Sequence, residues 1–221
     1  NDIKKNIKKN TKLIFGETLG NPGLDILNIP KVSKIGHDNN IPLLVDSTFT
    51  TPYLMQPFSL GADLIFHSAT KFLSGHGVVI GGLLVDGGKF DWSSSTKFKT
   101  LTEPYEGFHD MNFVDEYGPA AYINRARKEG ARDFGACMSP HTAFLVLQGI
   151  ETLNLRMERH IQNTRTIVDF LNSHQSVKSV CYPELENHPD HELAKDILPK
   201  GCGAVFTFQL EGNKETGKKF I

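Results

Sequence analysis

The stretch with the clearest chemical potential is Ser68-Ala69-Thr70-Lys71, which places two hydroxyls and an amine close together. It follows the apolar residues 64–66, a run that is too short for a helix and that predicts a buried strand. Lysine is almost never buried without a partner, and ligands of α/β proteins bind outside the carboxyl ends of strands. The hydroxyls could hold an anion while the amine forms a Schiff base, a combination that pyridoxal 5′-phosphate (PLP) requires. A solvated loop lysine beside two turn hydroxyls is the alternative that this stretch alone leaves open.

Two further polar side chains follow predicted strands upstream of this stretch. Residues 41–46 form a continuous apolar run that ends on Asp46, as strands do in parallel sheets that are covered on both faces. Asn21 lies in a loop rich in Gly, Asn and Pro that follows a predicted strand at residues 12–15. A carboxylate at the end of a buried strand is costly unless a positive charge or hydrogen-bond donors stabilise it. We therefore expect Asn21, Asp46 and Lys71 at one edge of the sheet.

An amide, a carboxylate, two hydroxyls and an amine at one sheet edge match the polar groups of PLP. Asp46 would keep the pyridine nitrogen protonated, and Asn21 would hydrogen-bond the ring hydroxyl. Ser68 and Thr70 would hold the phosphate, and Lys71 would carry the cofactor and shuttle protons at the substrate. The alternatives are that Asn21 only starts a turn, that Asp46 caps a strand, and that the hydroxyls belong to ordinary turns.

The predicted elements form an open mixed sheet in an α/β domain, followed by a second, smaller domain. Strands are predicted at residues 12–15, 41–46, 64–66, 78–86, 177–180 and 203–210, and helices at residues 24–40 and 139–174. The second helix begins at the N-cap Ser139 with Pro140 in its first turn, and Arg156 lies on its polar side. Residues 86–135 form a long polar and aromatic excursion, which is typical of segments with a function or a partner.

Composition argues against nucleic-acid and membrane partners. The 24 basic and 25 acidic residues give a formal net charge of −1, so no strong field attracts a polyanion. The lysines among residues 4–9 alternate with Ile3 and Ile7 at helical spacing, which favours an amphipathic helix over an RNA-binding arm. Three widely spaced cysteines fit neither a disulfide framework nor a zinc site. With no signal peptide and no apolar run of membrane-spanning length, these features predict a soluble cytoplasmic protein.

Residues 188–192 contain two histidines and two acidic residues, a composition that invites comparison with a metal site. A proline lies inside the run, however, and the spacing differs from the helical His-Glu-x-x-His arrangement. The sequence therefore predicts no metal site.

Residues 17–22, 45–49 and 61–77 together resemble motifs of the Cys/Met-metabolism family of PLP-dependent enzymes, in the same order and spacing. The resemblance covers essentially the whole chain. It implies the fold-type-I, aspartate-aminotransferase-like architecture: a mixed, mostly parallel sheet with helices on both faces, and part of a smaller α+β C-terminal domain. On this basis residues 1–150 would belong to the large PLP-binding domain. Residues 151–221 would form a long linking helix and the start of the small domain.

Four further segments resemble the O-acetylhomoserine sulfhydrylase branch of this family. They are residues 86–92, which open an insert, and residues 117–123, 147–153 and 198–201. The implied reaction is γ-replacement on O-acetyl-L-homoserine by sulfide or a small thiol, which gives homocysteine or methionine and acetate. The implied assembly is a homotetramer built as a dimer of dimers. A cystathionine γ-synthase, an elimination lyase of the same family, and a non-catalytic interaction module are the alternatives left open.

The resemblance has one departure and one gap. Ser47 stands where the family usually has Asn, next to the carboxylate that would pair with the pyridine nitrogen. The family's glycine-rich phosphate loop, its ring-stacking Tyr and the Tyr/Arg pair from a neighbouring subunit would precede residue 1. The Arg that binds the substrate carboxylate would follow residue 221. We therefore expect that this sequence is an internal portion of a longer polypeptide and carries half of the site.

Overall fold

The computed structural model describes residues 2–221 and contains a four-stranded sheet with strand order β1-β2-β3-β4. The strands are β1 Ile14–Glu17, β2 Leu43–Asp46, β3 Leu64–Ser68 and β4 Gly82–Asp86. The first three strands are parallel and β4 runs antiparallel to β3, so the predicted mixed, mostly parallel sheet is confirmed. Glu17 pairs with Asp46, and Asp46 with Phe66, so the carboxyl ends of β1, β2 and β3 share one edge.

Most of the helices formed by residues 2–221 are short. They are α1 Asp2–Asn6, α2 Ile29–His37, α3 Thr51–Leu54, α4 Lys99–Thr102, α5 Phe113–Tyr117, α6 Ala121–Arg125, α7 Pro140–Glu151, α8 Leu153–Ser173, α9 His191–Ile197 and α10 Lys214–Phe220. Helix α2 is shorter than the prediction of 24–40, because its N-cap is Asn28, whose side chain accepts the Lys31 amide, and because Leu24 has a φ of 61°. No helix formed by residues 2–221 is long and apolar enough to cross a membrane.

The predicted single helix at 139–174 is two helices. Ser139 caps α7 as expected, with Pro140 in the first turn. At Thr152, with φ −105° and ψ 8°, the chain leaves helical geometry, and the Thr152 amide donates to the carbonyls of Gly149 and Ile150. Helix α8 begins at the next residue. The direction of the chain therefore changes beside the C-terminal end of α7.

The C-terminal part carries a second sheet of two antiparallel strands, β5 Val177–Cys181 and β6 Thr207–Leu210. The predicted strand at 203–210 is shortened at its start, where Gly203 has a φ of 80°. One apolar core joins both parts of the molecule. It includes Leu43 and Val45 of β2, Met157, Ile161 and Val168 of α8, and the buried Tyr182.

A second core lies within the excursion after β4, where helices α4, α5 and α6 occur. Its centre is aromatic: Phe90 and Phe98 each meet Trp92 edge-on, and Tyr122 stacks on Trp92. Leu64 of β3 packs against this cluster, so the excursion is fastened to the sheet. The predicted long excursion is therefore a folded segment that contains several short helices.

Candidate active site

Lys71 lies in a π-helical turn, Ala69–Leu73, that follows β3 directly. Its φ of −91° and ψ of −121° are not helical, so this short segment is a sharp turn rather than the start of a longer helix. The turn is closed by bonds from the Ser74 amide to the Ala69 carbonyl (3.1 Å) and from the Gly75 amide to the Lys71 carbonyl (2.8 Å). No hydrogen bond or ion pair from within residues 2–221 engages Nζ of Lys71. The amine is therefore available to a ligand.

The lysine borders a cavity of about 190 Å³ at the carboxyl ends of the parallel strands. Its lining is Glu17, Leu19, Asn21, Asp46, Thr48, Phe49, Ser68 and Lys71. Four of the five side chains singled out by sequence thus lie around one space. Parallel strands that end at the same edge explain why residues so distant in sequence meet there.

Asp46 ends β2 and is half-buried at the cavity. One carboxylate oxygen, Oδ1, accepts the amide of Thr48 at 2.9 Å. The Thr48 hydroxyl accepts the amide of Ser68 at 2.8 Å, which fastens the ends of β2 and β3 to each other. Within residues 2–221 no hydrogen bond reaches the second oxygen of Asp46. The carboxylate is held in place while part of its acceptor capacity remains for a ligand.

Thr70 does not line the cavity. Its hydroxyl donates to the Gly81 carbonyl at 3.3 Å and accepts the Gly81 amide at 3.0 Å. These bonds tie the lysine turn to the segment that leads into β4. The predicted role of Thr70 in holding a phosphate stays a prediction.

Ser47, the departure from the family pattern, lies beneath the cavity and is fully buried. Its hydroxyl shares a hydrogen bond of 2.7 Å with the Thr50 hydroxyl, which in turn lies 3.0 Å from the Thr18 hydroxyl. Buried hydroxyls need such partners, and here they provide them for one another. This chain of hydroxyls links β1 to the segment after β2 without occupying the cavity.

His67 lies on the opposite face of β3 from Ser68, because side chains alternate along a strand. It is 5% exposed, and its Nδ1 has no hydrogen-bond partner among the described residues. Burial lowers the pKa of His67 below its ordinary value, while the Ser47 backbone and the Asp46 charge act in the opposite direction. Burial of this β3 side chain therefore favours the neutral form of the ring.

The loop that carries Asn21 is fastened to the C-terminal part of the chain. The amide of Ile26, at the end of this loop, donates to Oδ2 of Asp190 at 2.8 Å. Asp190 belongs to the run 188–192, in which the amide of Asp190 donates to His188 Nδ1 and His191 Nδ1 lies 3.1 Å from the Pro183 carbonyl. These polar side chains thus serve the local fold, and residues 2–221 contain no cluster of potential metal ligands.

A second cavity of about 430 Å³ adjoins the first and shares three of its lining residues, Asn21, Phe49 and Lys71. Phe72, Gly75, Gly77, Arg156, His160 and Val205 complete its lining. A third cavity, of about 480 Å³, lies beside the aromatic core and is mostly apolar. Volume alone therefore does not locate the site, whereas convergent polar groups at strand ends do.

Sequence reasoning missed Thr48 and Phe49 as residues of the cavity. Both follow Asp46 closely, so the signal was their position just past the end of a buried strand. The sequence shows Thr48 only as a polar residue after a strand. Its hydroxyl accepts the amide of Ser68 in the neighbouring strand β3, a contact that the local sequence does not reveal. Glu17, the last residue of β1, also lines the cavity.

The family model of the Cys/Met metabolism PLP-dependent enzymes matches residues 1–221. The chain is 42% identical over 223 residues to the homocysteine synthase of Schizosaccharomyces pombe, and 42% identical over 229 residues to the O-acetyl-L-homoserine sulfhydrylase of Leptospira meyeri. Each alignment covers 100% of this chain and 52% of the relative. The chain belongs to the Cys/Met metabolism PLP-dependent enzyme family. It spans about half the length of these curated relatives.

Two solved structures share the fold. A putative O-acetylhomoserine (thiol)-lyase from Campylobacter jejuni matches with a TM-score of 0.91 at 35% identity, over 95% of this chain and 52% of that one, and it contains a pyridoxyl-lysine monophosphate. The O-acetylhomoserine sulfhydrylase of Wolinella succinogenes matches with a TM-score of 0.84 at 37% identity, over 99% of this chain and 58% of that one. The predicted fold of PLP-dependent transferases is thereby confirmed.

The polar groups of the small cavity fit PLP. An amine without a partner among residues 2–221, a carboxylate with open acceptor capacity, a hydroxyl and an amide converge there from three strand ends. These are the groups that a carbonyl carbon, a protonated pyridine nitrogen, a phosphate and a ring hydroxyl require.

Proposed function

We propose that the polypeptide containing this chain catalyses γ-replacement on O-acetyl-L-homoserine. Sulfide or a small thiol adds at the γ-carbon as the bond to the acetate oxygen breaks, which gives homocysteine or methionine and acetate. The observation that carries the proposal is the convergence of Lys71 and Asp46 at one small cavity. The relatives named for this reaction support the choice of substrate.

Each residue of the cavity has a distinct role in this proposal. PLP, when bound, supplies an electron sink for negative charge that develops on substrate carbons. Asp46 holds the proton on the pyridine nitrogen by its charge, and Asn21 donates to the ring hydroxyl. Ser68, with Thr70, binds the phosphate. Lys71 holds the cofactor covalently and moves protons at the α-carbon of the substrate.

The larger adjoining cavity is the natural position for the substrate, because it shares Lys71 with the small one. Residues 1–150 would form part of the cofactor-binding domain, and residues 151–221 the linking helix, here α8, and the start of a small domain. We propose further that the full-length protein is a cytoplasmic homotetramer, a dimer of dimers whose subunits complete one another's sites.

The test is made on the full-length polypeptide, wild type and Lys71→Ala, each incubated with PLP. The wild type is expected to develop a visible absorption band and to produce homocysteine from O-acetyl-L-homoserine and sulfide. Lys71→Ala is expected to lose both the band and at least about 10³-fold in activity, because the attachment point and the proton carrier are removed together. Lys31→Ala is the matched control, since Lys31 is an exposed lysine on α2.

Three outcomes would contradict the proposal. A folded wild-type protein without the band would exclude PLP chemistry and favour an interaction module. Ammonia and a keto acid as the main products would instead assign an elimination lyase. Cystathionine formed in preference to homocysteine, when cysteine competes with sulfide, would assign a γ-synthase.

A further inference from the structure

Arg156, in the first turn of α8, reaches back to the turn that carries Lys71. Its Nη1 donates to the carbonyl of Phe72 at 2.8 Å, and its Nη2 donates to the carbonyl of Leu73 at 3.4 Å. Phe72 and Leu73 are the two residues that follow Lys71. Hydrogen bonds that involve a charged group are stronger than those between neutral groups, so these contacts hold the lysine turn from its C-terminal side.

The same guanidinium also fixes the end of α7. Nη2 donates to the Gly149 carbonyl at 2.6 Å, and Nε donates to the Thr152 hydroxyl at 3.1 Å. A cation at the C-terminal end of a helix is favourable, because the last carbonyls lack partners within the helix. Arg156 therefore joins the helix end and the lysine turn through one rigid planar group.

Close packing leaves little freedom at this junction. A Cβ atom at Gly149 would collide with the backbone carbonyls of Leu73 and Ser74, so α7 lies directly against the lysine turn. A Cβ atom at Gly75 would collide with the Arg156 guanidinium. Among the carbonyls of the turn, those of Ala69, Thr70 and Lys71 are bonded to Ser74 or Gly75, and Arg156 supplies donors for the next two.

The contacts of Arg156 argue against a role in binding a substrate carboxylate. It borders the larger cavity beside Lys71, where a substrate carboxylate would be a plausible partner for a guanidinium. The four contacts occupy all but one of its N–H groups. A bidentate grip on a carboxylate needs two free N–H groups, so the geometry assigns Arg156 to the lysine turn.

We propose that Arg156 is a positioning residue for Lys71: by binding the Phe72, Leu73 and Gly149 carbonyls it fixes the turn that aims the amine. The proposal rests on the proposed function of Lys71. Arg156 acts through the backbone of the turn, so its loss misplaces the amine without removing it. Displacements of about 1 Å at a reacting group cost up to about 100-fold in rate.

The test compares Arg156→Met, Arg156→Lys and the control Arg159→Met in the full-length protein loaded with PLP. Arg159 is an exposed arginine on the same helix, so its substitution changes net charge equally without touching the turn. Arg156→Lys keeps the charge but loses the planar fork, and it remains informative if the Met variant does not fold.

For Arg156→Met we expect kcat to fall about 10- to 100-fold while KM changes by less than about threefold. Arg156→Lys is expected to fall between this variant and the wild type. Two measurements besides activity should move in both Arg156 variants. The pH midpoint of the cofactor absorption band should shift, and amide hydrogen exchange in residues 69–77 should accelerate in the cofactor-free protein.

Wild-type rates, an unchanged absorption midpoint and unchanged exchange in a folded Arg156→Lys or Arg156→Met protein would overturn the proposal. A rise in KM with kcat unchanged would also overturn it and would assign the arginine to substrate binding. Failure of the wild type to form the absorption band would refute the proposed function itself, a result that the control Arg159→Met would share.

Discussion

Two clusters of polar side chains in this molecule differ in how completely their hydrogen bonds are formed. At the small cavity, the amine of Lys71 is unpaired within residues 2–221, and Asp46 accepts one backbone amide. In the C-terminal part, both oxygens of Glu184 are occupied. They accept Arg165 (2.6 and 3.1 Å), the Cys202 amide (3.0 Å) and the Tyr182 hydroxyl (3.3 Å).

The saturated cluster is also chemically quiet. Burial, followed by the charge of Glu184, raises the pKa of the Cys202 thiol to about 12 and raises that of Tyr182 as well. Both groups therefore stay protonated near neutral pH and neither is a nucleophile there. Charged residues thus serve two ends in this molecule: saturated charges hold the fold, and unsaturated charges at a cavity are available to a ligand.

The largest effect on activity is expected from a substitution of Asp46. Replacing Asp46 by Asn removes the charge that would stabilise the protonated pyridine nitrogen, while nearly preserving shape. We expect kcat/KM for homocysteine formation to fall about 10²- to 10³-fold, with little change in the free energy of unfolding. Steady-state kinetics and urea denaturation of the full-length protein measure the two quantities.

Asp38→Asn is the control for this experiment, because Asp38 is an exposed carboxylate paired with Lys34. If Asp46→Asn lowers the free energy of unfolding by several kcal/mol but leaves activity per folded molecule unchanged, Asp46 belongs with the charges that hold the fold.

The opposite result is expected at Glu184. Glu184→Ala removes the shared acceptor of Arg165, Cys202 and Tyr182, and it leaves the largely buried Cys202 amide without its partner. We expect the free energy of unfolding to fall by about 2 kcal/mol, with activity per folded molecule unchanged. Glu186→Ala, at an exposed neighbouring carboxylate, should change neither. An activity loss without a stability loss would show that a saturated cluster can still serve catalysis.

His67 is intermediate between the saturated and the unsaturated polar groups. It is buried, yet its Nδ1 has no hydrogen-bond partner among the described residues. Its folded-state pKa is lowered by burial, so the unfolded chain binds a proton more readily. The stability it permits is fully present above the ordinary histidine pKa, about 6.5, and is lost as the pH falls below that value. The effect is the smallest of the three.

His67→Gln should flatten this part of the acid sensitivity. The measurement is the urea midpoint of wild type and variant between about pH 8 and pH 5, where the wild-type midpoint should fall more steeply on acidification than that of the variant. Parallel curves would show that His67 has the same pKa in the folded and the unfolded protein. It would then belong with the side chains whose hydrogen bonds are complete.

Much of the sheet and of the cavity could be predicted from sequence, because apolar runs mark buried strands and their ends are visible. Asp46 and Lys71 were found in this way. The phosphate contact of Thr70 stays a prediction, and its hydroxyl also bonds to Gly81, a main-chain partner that no local pattern reveals. The break at Thr152 was missed because apolar residues continue at helical spacing on both sides of it and the nearby Gly149 is itself helical.

Arg156 shows a further limit of sequence reasoning. Helical periodicity placed it on a polar face, which is correct, but periodicity cannot tell solvent from a neighbouring backbone carbonyl. Its partners lie in a turn 84 positions earlier in the sequence. Contacts of that kind depend on how two elements pack, and they become visible only in three dimensions.

The close approach of α7 to the lysine turn has a consequence for sequence variation. A side chain at position 149 would collide with backbone carbonyls of the lysine turn, and one at position 75 would displace the Arg156 guanidinium and strain a backbone with a φ of 71°, although neither glycine takes part in the proposed chemistry. Selection for the proposed reaction would therefore constrain two glycines that supply no functional group, because substitution there would move the turn. In a population of variants, more positions should therefore resist substitution than supply groups to the proposed chemistry.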